Sequence, residues 1–239
     1  MGISSLELYG QALTDYYAGK TDATILVRRD DGFSSELPVA VFFRSRPAFS
    51  TIENMALERC RGTVLDIGAG SGSHTLALRE NGFQVVAIDV VPRAVRMMEQ
   101  RGVTDARCAD IFTFHDQTFD TAIMLGHGIG IVSDPDGLKR FLERMHHLLR
   151  PQGQLLFDST DIFATDDPLH LAYHAANRQA GRYSGEIRML FEYADQTGEW
   201  MKWLHVDPRT LEKYAHAANW NCRVLRQEPA GDYLVCLTH

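Results

Sequence analysis

The sequence predicts an α/β protein with a doubly wound, mostly parallel sheet, and three observations carry that prediction. Short apolar segments alternate with helical patterns from Thr63 to Asp158. The first apolar segment, Thr63–Ile67, runs into glycines at alternate positions, Gly68, Gly70 and Gly72, with a helical pattern immediately after. Asp66, Asp89, Asp110 and His127 fall at the ends of successive strand-like segments. Strand and helix alternation implies a parallel sheet covered on both faces. Ligands of such sheets bind beyond the carboxyl ends of the strands.

The elements follow in order. Ser4 and Glu7 stand at capping-box spacing, and Leu6, Tyr9, Leu13 and Tyr16 or Tyr17 recur at helical intervals, which predicts a helix from Ser4 to Gly19. Thr24–Arg29 and Leu37–Phe43 read as a hairpin, or as two loose extended segments, around Asp30-Asp31-Gly32. Pro47 precedes a second helix, with Ser50 and Glu53 again at capping spacing, that ends near Arg61-Gly62. Residues 1–60 cannot enter a parallel sheet by βα alternation. They are expected to lie across the strand ends as a lid, with Tyr16 and Tyr17 turned toward the ligand.

Within the core, a helix through Leu76, Ala77 and Leu78 stops at Asn81-Gly82. Gln84–Ile88 is a strand ending at Asp89, and Pro92 opens the next helix at a favourable first-turn position. Ala106–Ala109 leads to Asp110-Ile111, and Phe119–Leu125 leads to Gly126-His127-Gly128-Ile129-Gly130. Asp136–Arg150 is helical, Pro151-Gln152-Gly153 turns the chain, and Gln154–Asp158 is the last strand of the alternating series. Then the rhythm breaks. His170, Tyr173 and His174 fall in a helix, and Gly185–Tyr193 and Glu199–His205 form an inserted β-hairpin. Pro208–Asn219 is helical, and Cys222–Gln227 and Tyr233–Thr238 are closing strands around Pro229-Ala230-Gly231.

The composition narrows the function. A chain of 239 residues suits one domain with additions, and 45% hydrophobic with 23% charged residues is ordinary for a globular protein. A net charge of −7 argues against a nucleic acid partner. No apolar run approaches the ~20 residues of a membrane span, and no signal-peptide pattern opens the chain, so a cytoplasmic protein is expected. Cys60, Cys108, Cys222 and Cys236 form no C-x-x-C pair, so no metal or redox motif is indicated and free thiols are expected.

The glycine spacing discriminates between ligands. In the dinucleotide fingerprint G-x-G-x-x-G/A, counted from Gly68, the third small position falls on Ser73. Asp66, just ahead of Gly68, would repel a pyrophosphate but accept bonds from an ammonium group. The run Asp66-Ile67-Gly68-Ala69-Gly70-Ser71-Gly72 resembles motif I of the class I S-adenosylmethionine-dependent methyltransferases. Asp89, Asp110-Ile111 and the turn Leu149-Arg150-Pro151-Gln152-Gly153 match further positions of that family, with Gln152 in place of a commoner glycine.

The resemblance implies a seven-stranded sheet closed by an antiparallel hairpin. It also implies S-adenosyl-L-methionine as cofactor, S-adenosyl-L-homocysteine as product, and in-line methyl transfer (EC 2.1.1.-) to a nitrogen or oxygen of a small molecule. The cofactor residues it implies are Asp66, Gly68, Ala69, Gly70, Asp89, Val90, Asp110, Ile111, Leu125, Gly126 and His127. Asp89 would take the ribose hydroxyls, since a carboxylate accepts two bonds and donates none. Asp110 and Ile111 would take adenine. Residues 61–158 would hold the cofactor, 159–207 would form a substrate-side insertion, and 208–239 the C-terminal helix and antiparallel strands.

His127 has three readings: a general base with an ordinary pKa of ~6.5, a cofactor contact, or a residue placed by its backbone alone. A base is needed only if the acceptor arrives protonated. The family's adenine- and cytosine-modifying members carry runs that Leu125-Gly126-His127-Gly128 does not match. Acceptor binding is expected from Tyr16, Arg44, Tyr183 and His205, with Tyr17, Glu186, Trp200 and Trp203 as further candidates. Trp200 and Trp203 have opposite strand parity, so only one can face the site. Two rival functions remain: a non-catalytic S-adenosylmethionine-binding or assembly protein, and an NAD-type oxidoreductase.

Overall fold

The computed structural model describes residues 2–239. The chain opens with α1 (Ser5–Tyr17), β1 (Thr24–Arg29), β2 (Ser34–Pro38) and α2 (Thr51–Arg59), with 3-10 turns at Val39–Phe43 and Arg46–Ala48. The alternating core follows as β3 (Thr63–Ile67), α3 (Ser73–Glu80), β4 (Gln84–Asp89), α4 (Pro92–Gln100), β5 (Ala106–Cys108), β6 (Phe119–Met124), α5 (Pro135–Leu148) and β7 (Leu149–Thr160). The remainder is α6 (Pro168–Gln179), β8 (Glu186–Tyr193), β9 (Gln196–Thr197), β10 (Met201–Leu204), α7 (Pro208–Ala217), β11 (Asn221–Gln227) and β12 (Asp232–Thr238). Both expected capping boxes form: the Ser4 and Ser50 side chains accept from the first turns of α1 and α2, and Glu7 and Glu53 reach back to the cap amides.

A seven-stranded sheet has the order β11-β12-β7-β6-β3-β4-β5. β3 to β7 pair in parallel, while β12 runs antiparallel to β7 and β11 to β12. This is the doubly wound, mostly parallel sheet with a closing antiparallel hairpin. Val64, Leu65, Asp66 and Ile67 are all buried, as a strand covered on both faces must be. Leu65, Ala122 and Leu155 pack under Phe141 and Met145 of α5, Leu211 of α7 and Trp220. Val64, Ile123 and Leu156 point the other way, to Ile52 and Ala56 of α2 and Leu78 of α3. The period-two alternation of each strand therefore feeds two separate cores.

A second, five-stranded sheet has the path β10-β8-β1-β2, with β9 on β8, and is antiparallel throughout. Sequence reading gave its halves as separate hairpins, one N-terminal and one inserted. They join because β8 pairs with β1, Leu26 opposite Glu192. The inner face, with Ile25, Met189, Phe191 and Tyr193, buries against Leu8 and Leu13 of α1 and Val91 and Met97.

Two local expectations are corrected. The second extended segment is Ser34–Pro38, and Val39–Phe43 is a 3-10 turn, not strand. The β1–β2 ladder ends at Pro38, opposite Thr24. Val39 donates to the Ala23 carbonyl at 2.9 Å, and the chain then curls to bury the Val39 side chain completely. The Pro151-Gln152-Gly153 turn lies inside β7 as an irregularity, with Gln152 at φ 65° and a register shift between Phe119 and Thr121 on β6. The four cysteines are free, and Cys222 and Cys236 are one register apart on β11 and β12. Among the described residues, no helix is long and apolar enough to cross a membrane.

One glycine sets how closely the two sheets approach. A methyl group on Gly130, in the 3-10 turn Gly128–Val132 after β6, would overlap the indole ring of Trp203 on β10. Gly130→Ala should therefore push Trp203 outward and cost about 1–3 kcal/mol, the scale for overpacking. Urea unfolding and the tryptophan emission maximum measure this, and an unchanged midpoint with an unchanged spectrum would contradict it.

Candidate functional site

The carboxyl edge of the parallel sheet and the inner face of the second sheet enclose a cleft of about 1110 Å³. Its floor is the turn after β3 (Ile67–Ser71), the ends of β4 and β5 (Asp89–Val91, Ala109–Phe112), the loop after β6 (Leu125–Gly128) and Asp158 on β7. Its roof is Leu6 and Tyr9 of α1, Val27, Leu37, Met189, Phe191 and Trp203 of the second sheet, and the segment from Val41 through Glu53.

The glycine turn is shaped for a ligand. Gly68, Gly70 and Gly72 take φ of 67°, 56° and 80°, a region that L side chains rarely adopt. Gly68 and Ala69 donate to the Ile88 carbonyl at 2.9 and 3.0 Å, and Gly70 donates to Asp89 Oδ2 at 2.9 Å. A methyl group built on Gly68, or on Gly126 across the cleft, would meet no protein atom within 4 Å. Backbone on both sides thus borders open space.

Asp89 is buried, with Oδ1 accepting from the Val91 amide at 2.8 Å. Burial raises its pKa, opposed by the amides of Val91 and Gly70 and reinforced by the charge of Asp66. Asp110 Oδ1 accepts from the Phe112 amide at 2.9 Å while Ile111 is buried beside it. Val90 is 48% exposed at the cleft.

On the other side of β3, at the ends of β6, β7 and β12, lies a polar cluster. His127 sits in the left-handed region at φ 60°. Its amide donates to Asp158 Oδ2 at 3.0 Å, and its Nε2 lies 3.1 Å from Asp232 Oδ1. Thr160 donates to the same Asp232 oxygen at 2.9 Å. Burial opposes a charge on His127, but the bond to Asp232 and the charges of Asp158, Asp232 and Glu53 outweigh it, so its pKa is raised. Beside it, 5.8 Å between ring centres, His205 is held down to about 3 by burial and by the charge of His127. Asp158 is 5% exposed, and its Oδ1 has no hydrogen-bond partner.

The structure brings most of the residues singled out from sequence to the cleft. Gly68, Ala69, Gly70, Asp89, Val90, Asp110, Ile111, Leu125, Gly126, His127, Arg44 and His205 line it. Asp66 does not: it lies beneath the turn, 2% exposed, accepting from Thr75 Oγ1 at 2.6 Å. Tyr16 does not either, because it stacks on Phe43 at 4.6 Å outside the cleft. Tyr183 is turned away to donate to Asp207 Oδ2 at 2.6 Å. Trp203 lines the cleft while Trp200 is exposed, as their parity requires.

Sequence reading missed Tyr9, Glu53, His74, Asp158 and Asp232. Tyr9 is seven residues before Tyr16, on the same face of α1 two turns earlier, and its ring meets Phe42 edge-on at 5.1 Å. Its hydroxyl sits over Gly70, 2.5 Å from where a methyl group would be. Asp158 carried the same signal as Asp89 and Asp110, an acid at a strand end. Asp232 begins an antiparallel strand, which starts where its parallel neighbours stop. Glu53 was read as a cap only, yet it also takes Arg44 at 3.0 Å and His74 at 2.8 Å.

Burial would raise the Glu53 pKa, but the bonds from His74 and the Ser50 amide and the charges of His74 and Arg44 lower it to about 2 from an ordinary 4.5. A depressed carboxylate stabilises the fold above its unfolded pKa and stops doing so as pH falls through its folded one. Glu53→Gln should cost up to about 3 kcal/mol at neutral pH, and the deficit should shrink as pH falls from 4.5 to 2. Urea titrations of both proteins across that range check this, and a deficit that stays constant with pH would contradict it.

Comparison with known proteins agrees with this geometry. The family described as "Methyltransferase domain" matches residues 64–153. The chain is 32% identical over 104 residues to a cypemycin N-terminal methyltransferase of Streptomyces, a match covering 41% of this chain and 42% of that protein. It is 30% identical over 132 residues to an uncharacterized methyltransferase of Mycobacterium tuberculosis, covering 54% and 52%. The chain thus spans about half or less of the length of these curated relatives. A crystal structure of an S-adenosylmethionine-dependent methyltransferase from Bacteroides fragilis, in complex with S-adenosyl-L-homocysteine, superposes with a TM-score of 0.85 at 34% identity. That likeness covers 98% of this chain and 95% of that one, second sheet included. By its sheet, its glycine turn and this end-to-end similarity, the chain belongs to the class I S-adenosylmethionine-dependent methyltransferases.

Proposed function

We propose that the chain moves a methyl group from S-adenosylmethionine to a nitrogen or oxygen of a small molecule inside the roofed cleft. The observation that carries this reading is the open backbone edge of Gly68 and Gly126, facing a covered cavity with Asp89 and Asp110 on one side and His127 on the other. The residues present fit the cofactor. The carbonyls of Gly68 and Gly70 suit the ammonium of its amino acid end. Each oxygen of Asp89 already takes one backbone N–H and keeps a second lone pair for a ribose hydroxyl. Asp110 and Ile111 suit the adenine edge and face, with Val90 beside them. Leu125, Gly126 and His127 border the place of transfer.

When bound, S-adenosylmethionine supplies a methyl group already activated on a sulfonium. The chain's own work is to approximate the reactants and exclude water. Phe42, Phe49, Phe191 and Trp203 supply the apolar cover. Residues 1–60, joined by the hairpin from the 159–207 insertion, act as the lid over the 61–158 cofactor unit, with 208–239 closing the sheet. His127 meets Asp232 through Nε2 and Asp158 through its amide, and these acids raise its pKa, so its role is to hold Asp158 and Asp232 in place. Asp66 acts from beneath by fixing the turn through Thr75.

The direct test is turnover of labelled S-adenosylmethionine against a small-metabolite extract. Label should appear in the small-molecule fraction, with S-adenosylhomocysteine released in equal amount. Tight cofactor binding with no transfer would instead make the chain a binding protein. Calorimetry tests the ribose site: Asp89→Ala should weaken S-adenosylhomocysteine by about 1.5–3 kcal/mol, and Asp89→Asn by less, since one acceptor oxygen survives. Unchanged affinity in both variants would place the ribose elsewhere.

A further inference from the structure

The sheet order separates two groups of polar residues on the cleft floor. Asp89 and Asp110 end β4 and β5 on one side of β3, while His127, Asp158 and Asp232 lie at β6, β7 and β12 on the other. Adjacent strands are about 4.8 Å apart, so Asp158 stands roughly 14 Å from Asp89 across the sheet. The cofactor reading uses the first group, the glycine turn and the border at His127, and leaves Asp158 without a ligand.

That second group has hydrogen-bonding capacity to spare. Asp158 Oδ1 is buried, borders the cleft and has no partner; burial raises the Asp158 pKa against the opposing charge and amide of His127, so a cationic partner at Oδ1 would favour the carboxylate. The His205 ring, facing the same space, makes no side-chain hydrogen bond to the protein; its nearest polar ring neighbour is His127. Asp232, bonded to His127 and Thr160, and Glu228, paired with Arg226 at 2.6 Å, also line this region. Arg44, the guanidinium in the cleft lining, is already bound to Glu53 and to the Val41 and Ala48 carbonyls. Trp203, packed on Gly130 of the same loop as His127, gives this end an apolar wall.

We propose that this end of the cleft is an amine site: Asp158 Oδ1 and the His205 ring receive the N–H groups of an acceptor amine whose carbon skeleton lies against Trp203. The proposal rests on the methyltransferase reading above. An anionic acceptor would face Asp158 and Asp232, with the guanidiniums of Arg44 and Arg226 already paired to Glu53 and Glu228. An alcohol would need a base to become nucleophilic, and neither histidine is suited to one: His127 is biased to its charged form and His205 is held neutral as a very weak base. An amine needs none in the transfer itself. Its ammonium form first gives a proton to water. The nitrogen lone pair then forms the N–C bond, the C–S bond breaks with its electron pair left on sulfur, and the positive charge moves from sulfur to nitrogen. A fixed carboxylate beside that nitrogen stabilises the charge where it develops. The methylated ammonium loses its proton to solvent after release.

The test uses the full chain saturated with S-adenosylhomocysteine and three probes of one skeleton: phenethylamine, 2-phenylethanol and 3-phenylpropanoate. Calorimetry should give the amine about ten-fold or more tighter binding than the other two, the scale of one charge-assisted hydrogen bond. Asp158→Asn should erase that preference while S-adenosylhomocysteine binds as in the wild type, which also shows that the variant is folded. No retention of the amine, or equal or tighter retention of the alcohol or acid, overturns the amine site and leaves the methyltransferase reading standing. The same holds if Asp158→Asn weakens S-adenosylhomocysteine, since Asp158 would then serve the cofactor. Failure of the wild type to bind S-adenosylhomocysteine at all would remove the underlying reading. The wild-type preference is measured without any variant, so the proposal stays testable even if Asp158→Asn does not fold.

Discussion

The left-handed turn Gly68–Gly72 is the constraint on which the rest of the structure depends. It is held from below by the Ile88 carbonyl, from the side by Asp89, and it continues into α3 through the Leu76 amide bond to Gly72. Arg101, at the end of α4, donates to the Ser71 carbonyl and hydroxyl at 2.6 and 2.7 Å. The Ser71 and Ser73 hydroxyls both donate to the Phe42 carbonyl of the N-terminal extension. One turn therefore joins two strands, two helices and the roof. Three residues in a row of alternate positions must adopt φ > 0, which only glycine does cheaply.

The roof is attached differently from the floor. The parallel sheet is held by continuous ladders and two apolar cores. The second sheet is held to it by α1, by the contact of Trp203 with Gly130, and by side chains around Phe42–Glu53. Among these, Phe43 receives the Arg101 guanidinium at 5.0 Å from its ring centre, and Glu53 ties Arg44 to His74. Beyond the apolar packing of α1 and the inner face on Val91 and Met97, these are side-chain contacts at one rim. The cover over the cleft keeps water from the reacting centre.

The parallel sheet was legible in the sequence because fully buried strands separated by capped helices leave unambiguous marks. Thr63–Ile67 and Ser50/Glu53 are examples in which local chemistry and tertiary role agree. The second sheet was not legible as one unit, since the β1–β8 pairing spans more than half the chain and leaves no local trace. The site divides the same way. Gly68, Asp89 and Asp110 are set by position along their own strands. Asp232 and Glu53 reach the cleft only through topology, and Tyr9 rather than Tyr16 faces it because α1 crosses the turn at its first half. Tyr183 was chosen for its chemistry alone, and its hydroxyl is spent on capping residue Asp207.

An enclosed site requires one ligand to be gripped at once by the glycine turn and by the roof. Hydrogen exchange of backbone amides, with and without S-adenosylhomocysteine, reads both surfaces in one experiment. Slowed exchange is expected together at residues 68–73, at 39–44 on the extension and at 187–191 on β8, with little change in α5 and α7. Protection of the turn with an unaffected roof, or no protection of the turn, would contradict the enclosed site.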